Sequence, residues 1–115
     1  MSVPRVFIPQ IVKRFDQQKR VWIEVYDFGP AEVFGQLEIV LDEGDDPALI
    51  SRMVPKVEKR LSDFSPDDYF LPVGSPTLIA ACAGVIFRRN PRMKMLTWAR
   101  EMKTYVQSEI VLSSR

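Results

Sequence analysis

The chain contains no histidine. That removes the commonest general base and the commonest metal ligand in one stroke. It contains one cysteine, Cys82, so no disulfide can form within the chain. A stapled secreted scaffold is therefore excluded. Cys82 sits inside an apolar run, where a buried structural thiol is the expectation rather than a reactive one. No glycine-rich phosphate fingerprint and no P-loop lysine occur. No long hydrophobic run occurs either: the longest, Leu78–Phe87, has ten residues, against the roughly 20 that a membrane-spanning helix needs. The N-terminal residues Met1-Ser2-Val3-Pro4-Arg5 lack the apolar segment and cleavage pattern of a signal peptide. A cytoplasmic setting and no membrane partner are the expectations.

What is present is an ordinary globular composition. An apolar fraction of 46% over 115 residues calls for one domain with one core and limited room for an enclosed active site. The net charge of +1 is unevenly spread. Residues 41–70 carry four basic and eight acidic groups, and residues 71–115 carry seven basic and two acidic. An acidic middle and a basic end can steer a partner or draw copies of the chain together; solvated faces account for the same blocks.

The hydrophobic periods indicate an α/β protein. Val6-Phe7-Ile8 and Ile11-Val12 are β-prone, Asp16–Lys19 reads as a turn, and Val21–Tyr26 is rich in β-branched and aromatic residues. Pro4 and Pro9 place the first stretch at a sheet edge or outside the sheet. Residues 1–34 thus read as an N-terminal hairpin extension to an α/β core over 35–115. Gln36–Leu41 reads as a strand. Asp46-Pro47 is a cap followed by a proline at the first helical position. Leu49, Ile50, Met53, Val54, Val57, Leu61 and Phe64 then recur at spacings of three and four, predicting an amphipathic helix over 47–64. Pro55 conflicts with it and should kink or split it. Tyr69–Val73 is a buried strand. Gly74-Ser75-Pro76 is a turn into a second helix over 76–89 with Ser75 as cap, stopped by Asn90-Pro91. Met93–Trp98 and Thr104–Leu112 close the chain as a hairpin. The expected architecture is a single small mixed sheet, β-α-β-α-β-hairpin, with right-handed crossovers. Its core should include Leu37, Ile39, Leu41, Phe70, Leu71, Val73, Ile79, Cys82 and Ile86.

The second helix has almost no polar face before Arg88. A helix apolar all round is covered on more than one side. Thr77, Ala80, Ala81 and Gly84 make a small-residue stripe for that second contact. The cover is either the chain's own hairpin or a second copy, with Ala80, Ala81 and Gly84 as the interface.

Three segments could carry chemistry or ligands. The carboxylates of Asp42-Glu43-Gly44-Asp45-Asp46 follow a strand, where α/β sheets bind ligands, and oxygen-rich clusters can hold Mg²⁺; the spacing fits no EF-hand loop. Gly74, Ser75 and Thr77 lie at a helix N-terminus, which attracts anions, although Pro76 removes one N–H. Ser75 has no histidine to activate it and is not in a nucleophile elbow. Arg88, Arg89, Arg92 and Lys94, with Trp98, Arg100 and Lys103, combine charge and an aromatic platform as nucleic-acid binding requires.

The segments Phe34–Leu41, Asp67-Asp68-Tyr69-Phe70-Leu71-Pro72-Val73-Gly74-Ser75-Pro76 and Met95-Leu96-Thr97-Trp98 together resemble small uncharacterised α/β proteins encoded in phage genomes. There the turn reads Gly-Asp-Pro more often; Asp and Ser are both helix caps, so a structural role for the position is retained. The resemblance implies a phage or mobile-element origin and action in a bacterial cytoplasm. It brings no activity and no cofactor. From the residues, the preferred function is a non-enzymatic, self-associating module that binds a protein partner, with Trp22, Tyr26, Trp98 and five methionines as the excess apolar surface. The alternative is nucleic-acid binding through the basic C-terminal third. A metal-dependent enzyme at 42–46 ranks last, and no cofactor is expected.

Overall fold

Pro4 and Pro9 bracket four residues that each keep an N–H, and those four form the strand around which the sheet is built. The computed structural model describes residues 3–113; Met1, Ser2, Ser114 and Arg115, the ends of the expected single domain, lie outside the described residues. Strand β1 (Arg5–Ile8) is followed by β2 (Lys13–Asp16) and β3 (Val21–Glu24), then β4 (Gln36–Ile39). After these come α1 (Ile50–Arg60), β5 (Tyr69–Phe70), α2 (Pro76–Arg89), β6 (Arg92–Ala99) and β7 (Thr104–Val111). Five strands make one sheet in the order β4-β1-β5-β6-β7, while β2 and β3 form a separate two-stranded ribbon. The pairs β1–β4, β1–β5 and β5–β6 are parallel, and β6–β7 is antiparallel.

The small mixed α/β sheet with its closing hairpin is as the sequence indicates, but β1 is not at an edge. It lies between β4 and β5, and so belongs to the core rather than to an extension over 1–34. A parallel strand buried on both faces reads as an unbroken apolar run, and Val6, Phe7 and Ile8 are all buried. The prolines end the strand instead of interrupting it. At its start the neighbouring strand comes very close: a Cβ on Gly35 would lie 2.4 Å from the Pro4 carbonyl oxygen.

Right-handed crossovers dictate the layers. The steps β4 to β5 and β5 to β6 run one way across the sheet and place α1 and α2 on the same face. Phe7, Val40, Phe70 and Met93 pack there against Val57, Leu61, Leu78, Cys82 and Ile86. The step β1 to β4 runs the other way, so the segment after the ribbon covers the opposite face. A 3-10 turn, Gly29–Val33, sits there, and Phe28 and Ala31 pack on Val6, Ile8, Leu71 and Leu96. The Tyr105 hydroxyl donates to the Asp27 carbonyl at 3.2 Å and ties this cover to β7. Of the expected core, Leu41, Phe70, Leu71, Cys82 and Ile86 are buried, while Leu37, Ile39, Val73 and Ile79 are partly so.

Local boundaries differ from expectation for physical reasons. The helix expected over 47–64 divides into a 3-10 turn, Pro47–Leu49, and α1. Asp46 caps the turn, accepting from the Ala48 N–H at 2.9 Å. Pro55 lies within α1 and deprives the Ser51 carbonyl of its helical partner. Both residues are on the exposed face, where solvent can reach that carbonyl. The strand expected over 69–73 is regular only for Tyr69–Phe70, with Leu71 N–H still donating to the Phe7 carbonyl at 2.9 Å.

Candidate functional site

Open α/β sheets bind ligands beyond the carboxyl ends of their strands, where the strand order reverses. Here that point lies between β1 and β5. The protein fills it with its own side chain. Gln10, just past β1, accepts from the Ser75 N–H through Oε1 at 2.9 Å. Gly74 has φ +104°, and a Cβ there would sit 2.5 Å from that same oxygen. The glycine thus supplies both the left-handed turn and the space for Gln10. Ser75 is the N-cap residue of α2 by position, but its side chain makes no capping hydrogen bond. Gln10 satisfies the Ser75 amide, and Thr77 lies exposed beside it.

A cleft of about 410 Å³ opens next to this plug, between the base of the ribbon and the loop after β4. Its lining includes Lys13, Glu24, Asp42, Glu43 and Asp45. All of these but Glu24 are engaged. Lys56 donates to Asp42 at 3.0 Å and to Asp45 at 2.5 Å. Arg60 donates to both oxygens of Asp42 at 2.9 Å. Lys13 pairs with Glu43 at 3.1 Å. The hydrogen bond from Lys56 lowers the pKa of both Asp42 and Asp45, and the two carboxylates raise that of Lys56. The acidic loop is a clamp on α1. Among the described residues no three His, Cys, Asp or Glu side chains converge as a metal site.

The basic residues singled out above lie in two groups. Arg88 pairs with Glu58 at 2.8 Å, and Arg89 donates to the Ser62 carbonyl, both toward α1. Arg92 opens β6 nearby. Arg100 and Lys103 lie past its far end, about 23 Å along an eight-residue strand. Between them Lys94 stacks over the Tyr69 ring at 4.3 Å and stands opposite Glu109. Trp98 is 48% exposed and packs edge-on against Tyr105, with 5.0 Å between ring centroids.

Of the two covers expected for α2, the chain's own hairpin is not in place, and the small-residue stripe is uncovered within the chain. Leu78, Cys82, Val85 and Ile86 are buried, while Ala80 and Gly84 face outward, Ala81 is partly covered, and a Cβ on Gly84 would meet nothing within 4 Å. The chain's own ribbon does not cover this helix. Exposed apolar bulk gathers instead in two other places. One is the ribbon, where Phe15 and Trp22, cross-strand partners, pack edge to face at 5.6 Å while 44% and 66% exposed. Val21 is exposed beside them. Asp16 closes the ribbon's turn, accepting from the Gln18 and Lys19 amides at 2.9 and 3.2 Å. The ribbon makes no substantial contact with any helix or strand of the main sheet. The second place is the end of β7, with Ile110, Val111 and Leu112 exposed. Sequence reasoning named Trp22 but missed Phe15. A turn across residues 17–20 sets the two opposite each other, which was the available signal.

The chain belongs to a phage protein family: the family model described as Phage Pam3 gp32-like protein matches residues 4–112. This agrees with the resemblance drawn from residues 34–41, 67–76 and 95–98. No curated protein and no solved structure matches the chain. No helix among the described residues is long and apolar enough to cross a membrane.

Proposed function

We propose that this phage-family protein is a non-enzymatic interaction module that self-associates and engages a protein partner. The observation that carries the reading is the Phe15–Trp22 ribbon. A two-stranded hairpin alone is marginal in water and needs a surface to pack on. This one is separate from the main sheet, and it holds an exposed aromatic pair with no core beneath it. Exposed Trp and Phe at such a site have the composition of a binding hot spot. The nucleic-acid alternative has less support, since Arg88, Arg89 and Lys94 already have partners and the remaining basic groups sit at opposite ends of β6. Sedimentation equilibrium of the intact chain tests self-association: the expected mass is twice the 13.3 kDa of the monomer. A monomer at every concentration up to the millimolar range would remove that half of the reading. For the partner half, tryptophan emission of a Trp98→Phe variant reports on Trp22 alone. It should shift to the blue when phage structural proteins are added singly, and an unchanged spectrum with all of them would count against it.

A further inference from the structure

We propose that self-association runs through the free edge of β7, which pairs antiparallel with β7 of a second copy about a twofold axis at Ser108. The inference rests on the self-association reading above and gives it a surface and a register. β7 is eight residues long and, among the described residues, pairs with β6 alone. The Leu112 N–H donates inward to the Pro91 carbonyl at 2.8 Å. Antiparallel pairing alternates, so even-numbered residues bond inward and Tyr105, Gln107, Glu109 and Val111 turn their N–H and C=O groups outward. Among the described residues nothing accepts or donates to those outward groups. Free edges of this length are usually blunted by proline, lysine or a bulge. β7 has no proline and no lysine, and its pairing with β6 is unbroken over all eight residues.

Self-pairing about Ser108 uses every outward group. Tyr105 meets Val111 of the other copy, and Gln107 meets Glu109, each pair twice by symmetry. On the helix-bearing face Val106 meets Ile110, with the small Ser108 opposite itself on the axis. Moving the axis to Glu109 sets like charges directly against each other. Moving it to Gln107 pushes Val111 against Lys103, whose φ of +53° belongs to the turn. Glu109 is the strand's one charge, and Lys94 faces it across β6. About the Ser108 axis each Glu109 stands opposite Gln107 of the other copy, so like charges are not set directly against each other. Two five-stranded sheets would join into one continuous sheet.

The test is cysteine cross-linking of the full chain. Opposed Ser108 residues form a non-hydrogen-bonded pair with Cα atoms about 4.5 Å apart, within disulfide range. Ser108→Cys should give a covalent dimer under mild oxidation. Gln107→Cys and Glu109→Cys, which oppose each other and not themselves, should cross-link only when mixed. Gln107→Pro removes an outward donor and leaves the inward ladder intact; it should raise the dimer dissociation constant at least tenfold, the loss counting twice by symmetry. If the native chain sediments as a dimer but Ser108→Cys does not cross-link, the β7 register is wrong while self-association stands. If the native chain is monomeric and Ser108→Cys stays uncross-linked, both readings fall.

Discussion

Asp68 and Asp63 both hold Arg5, yet the structure assigns them unequal weight. Asp68 is 2% exposed and accepts three hydrogen bonds: from the Arg5 amide at 3.0 Å, the Ser65 amide at 2.9 Å and Arg5 Nη2 at 3.0 Å. Asp63 accepts from Arg5 Nη1 at 3.1 Å with its side chain 70% exposed. Burial is the largest influence on Arg5 and draws its pKa down, but the two carboxylates outweigh it and leave the pKa raised. Removing Asp68 strands two amides and half a guanidinium. Hydrogen bonds to a charged group are worth roughly 1.5–3 kcal/mol each, and breaking a buried pair costs roughly 3–5 kcal/mol. Arg5 keeps Asp63 and water enters part of the gap, so Asp68→Ala should cost about 3 kcal/mol at the low end of that range. With a urea dependence of about 1.5 kcal/mol per molar, the unfolding midpoint should fall by about 2 M. Asp63→Ala should cost less than about 0.5 kcal/mol, as exposed pairs do. Asp68→Asn should not rescue, because its amide nitrogen would face a donor. Equal midpoints for Asp68→Ala and Asp63→Ala would refute the reasoning.

Gly84 lies mid-helix with open space beside it, so Gly84→Ala should stabilise the chain by about 0.5–1 kcal/mol, and Gly84→Leu should leave the sedimenting mass unchanged; a Leu variant that dissociates the dimer would restore α2 as the interface. Burial pushes the Cys82 thiol from 9.0 up to about 12, so a thiol reagent near neutral pH should react only after unfolding. Because the folded value is the higher one, the stability tied to it is complete below about pH 9 and is lost as pH rises toward 12, amounting to about 4 kcal/mol at most; a Cys82→Ala variant with the same alkaline profile as the native chain would contradict this. Asp42 and Asp45 have lowered pKa values, so their clamp contributes above the ordinary carboxylate range and fades as pH falls through the lowered values. Lys56→Met should accordingly flatten the acid limb of the unfolding midpoint, and an unchanged limb would exclude the clamp.

What was legible in the sequence was local. Asn90-Pro91 ends α2, Asp46 caps its turn, and β6 with β7 follows from alternation, because each signal acts within a few residues. The place of β1 was not legible: prolines at 4 and 9 are equally suited to ending a central strand and to marking an edge, and only the pairing with β4 and β5 decides. That the chain itself leaves one face of α2 uncovered was hidden for another reason. Alanine and glycine count as apolar in composition but present little surface, so leaving Ala80 and Gly84 in water costs little. The plug at Gln10 and the open edge of β7 depend on strand order, which no window of sequence contains.

The central position of β1 also sets the order of events during synthesis. β1 is made before both of its neighbours, β4 and β5, and the buried Asp68 that secures Arg5 comes 63 residues later. Until β5 is made, the apolar Val6-Phe7-Ile8 has only β4 to pair with, and the chain bears the loop-closure cost of non-local contacts. The sheet cannot close around β1 until β5, Tyr69–Phe70, has been made. β7, made after the other strands described, completes the sheet on its outer side, so a chain stalled before residue 104 would expose β6 as its edge and a fragment beginning at residue 35 would have a gap at its centre.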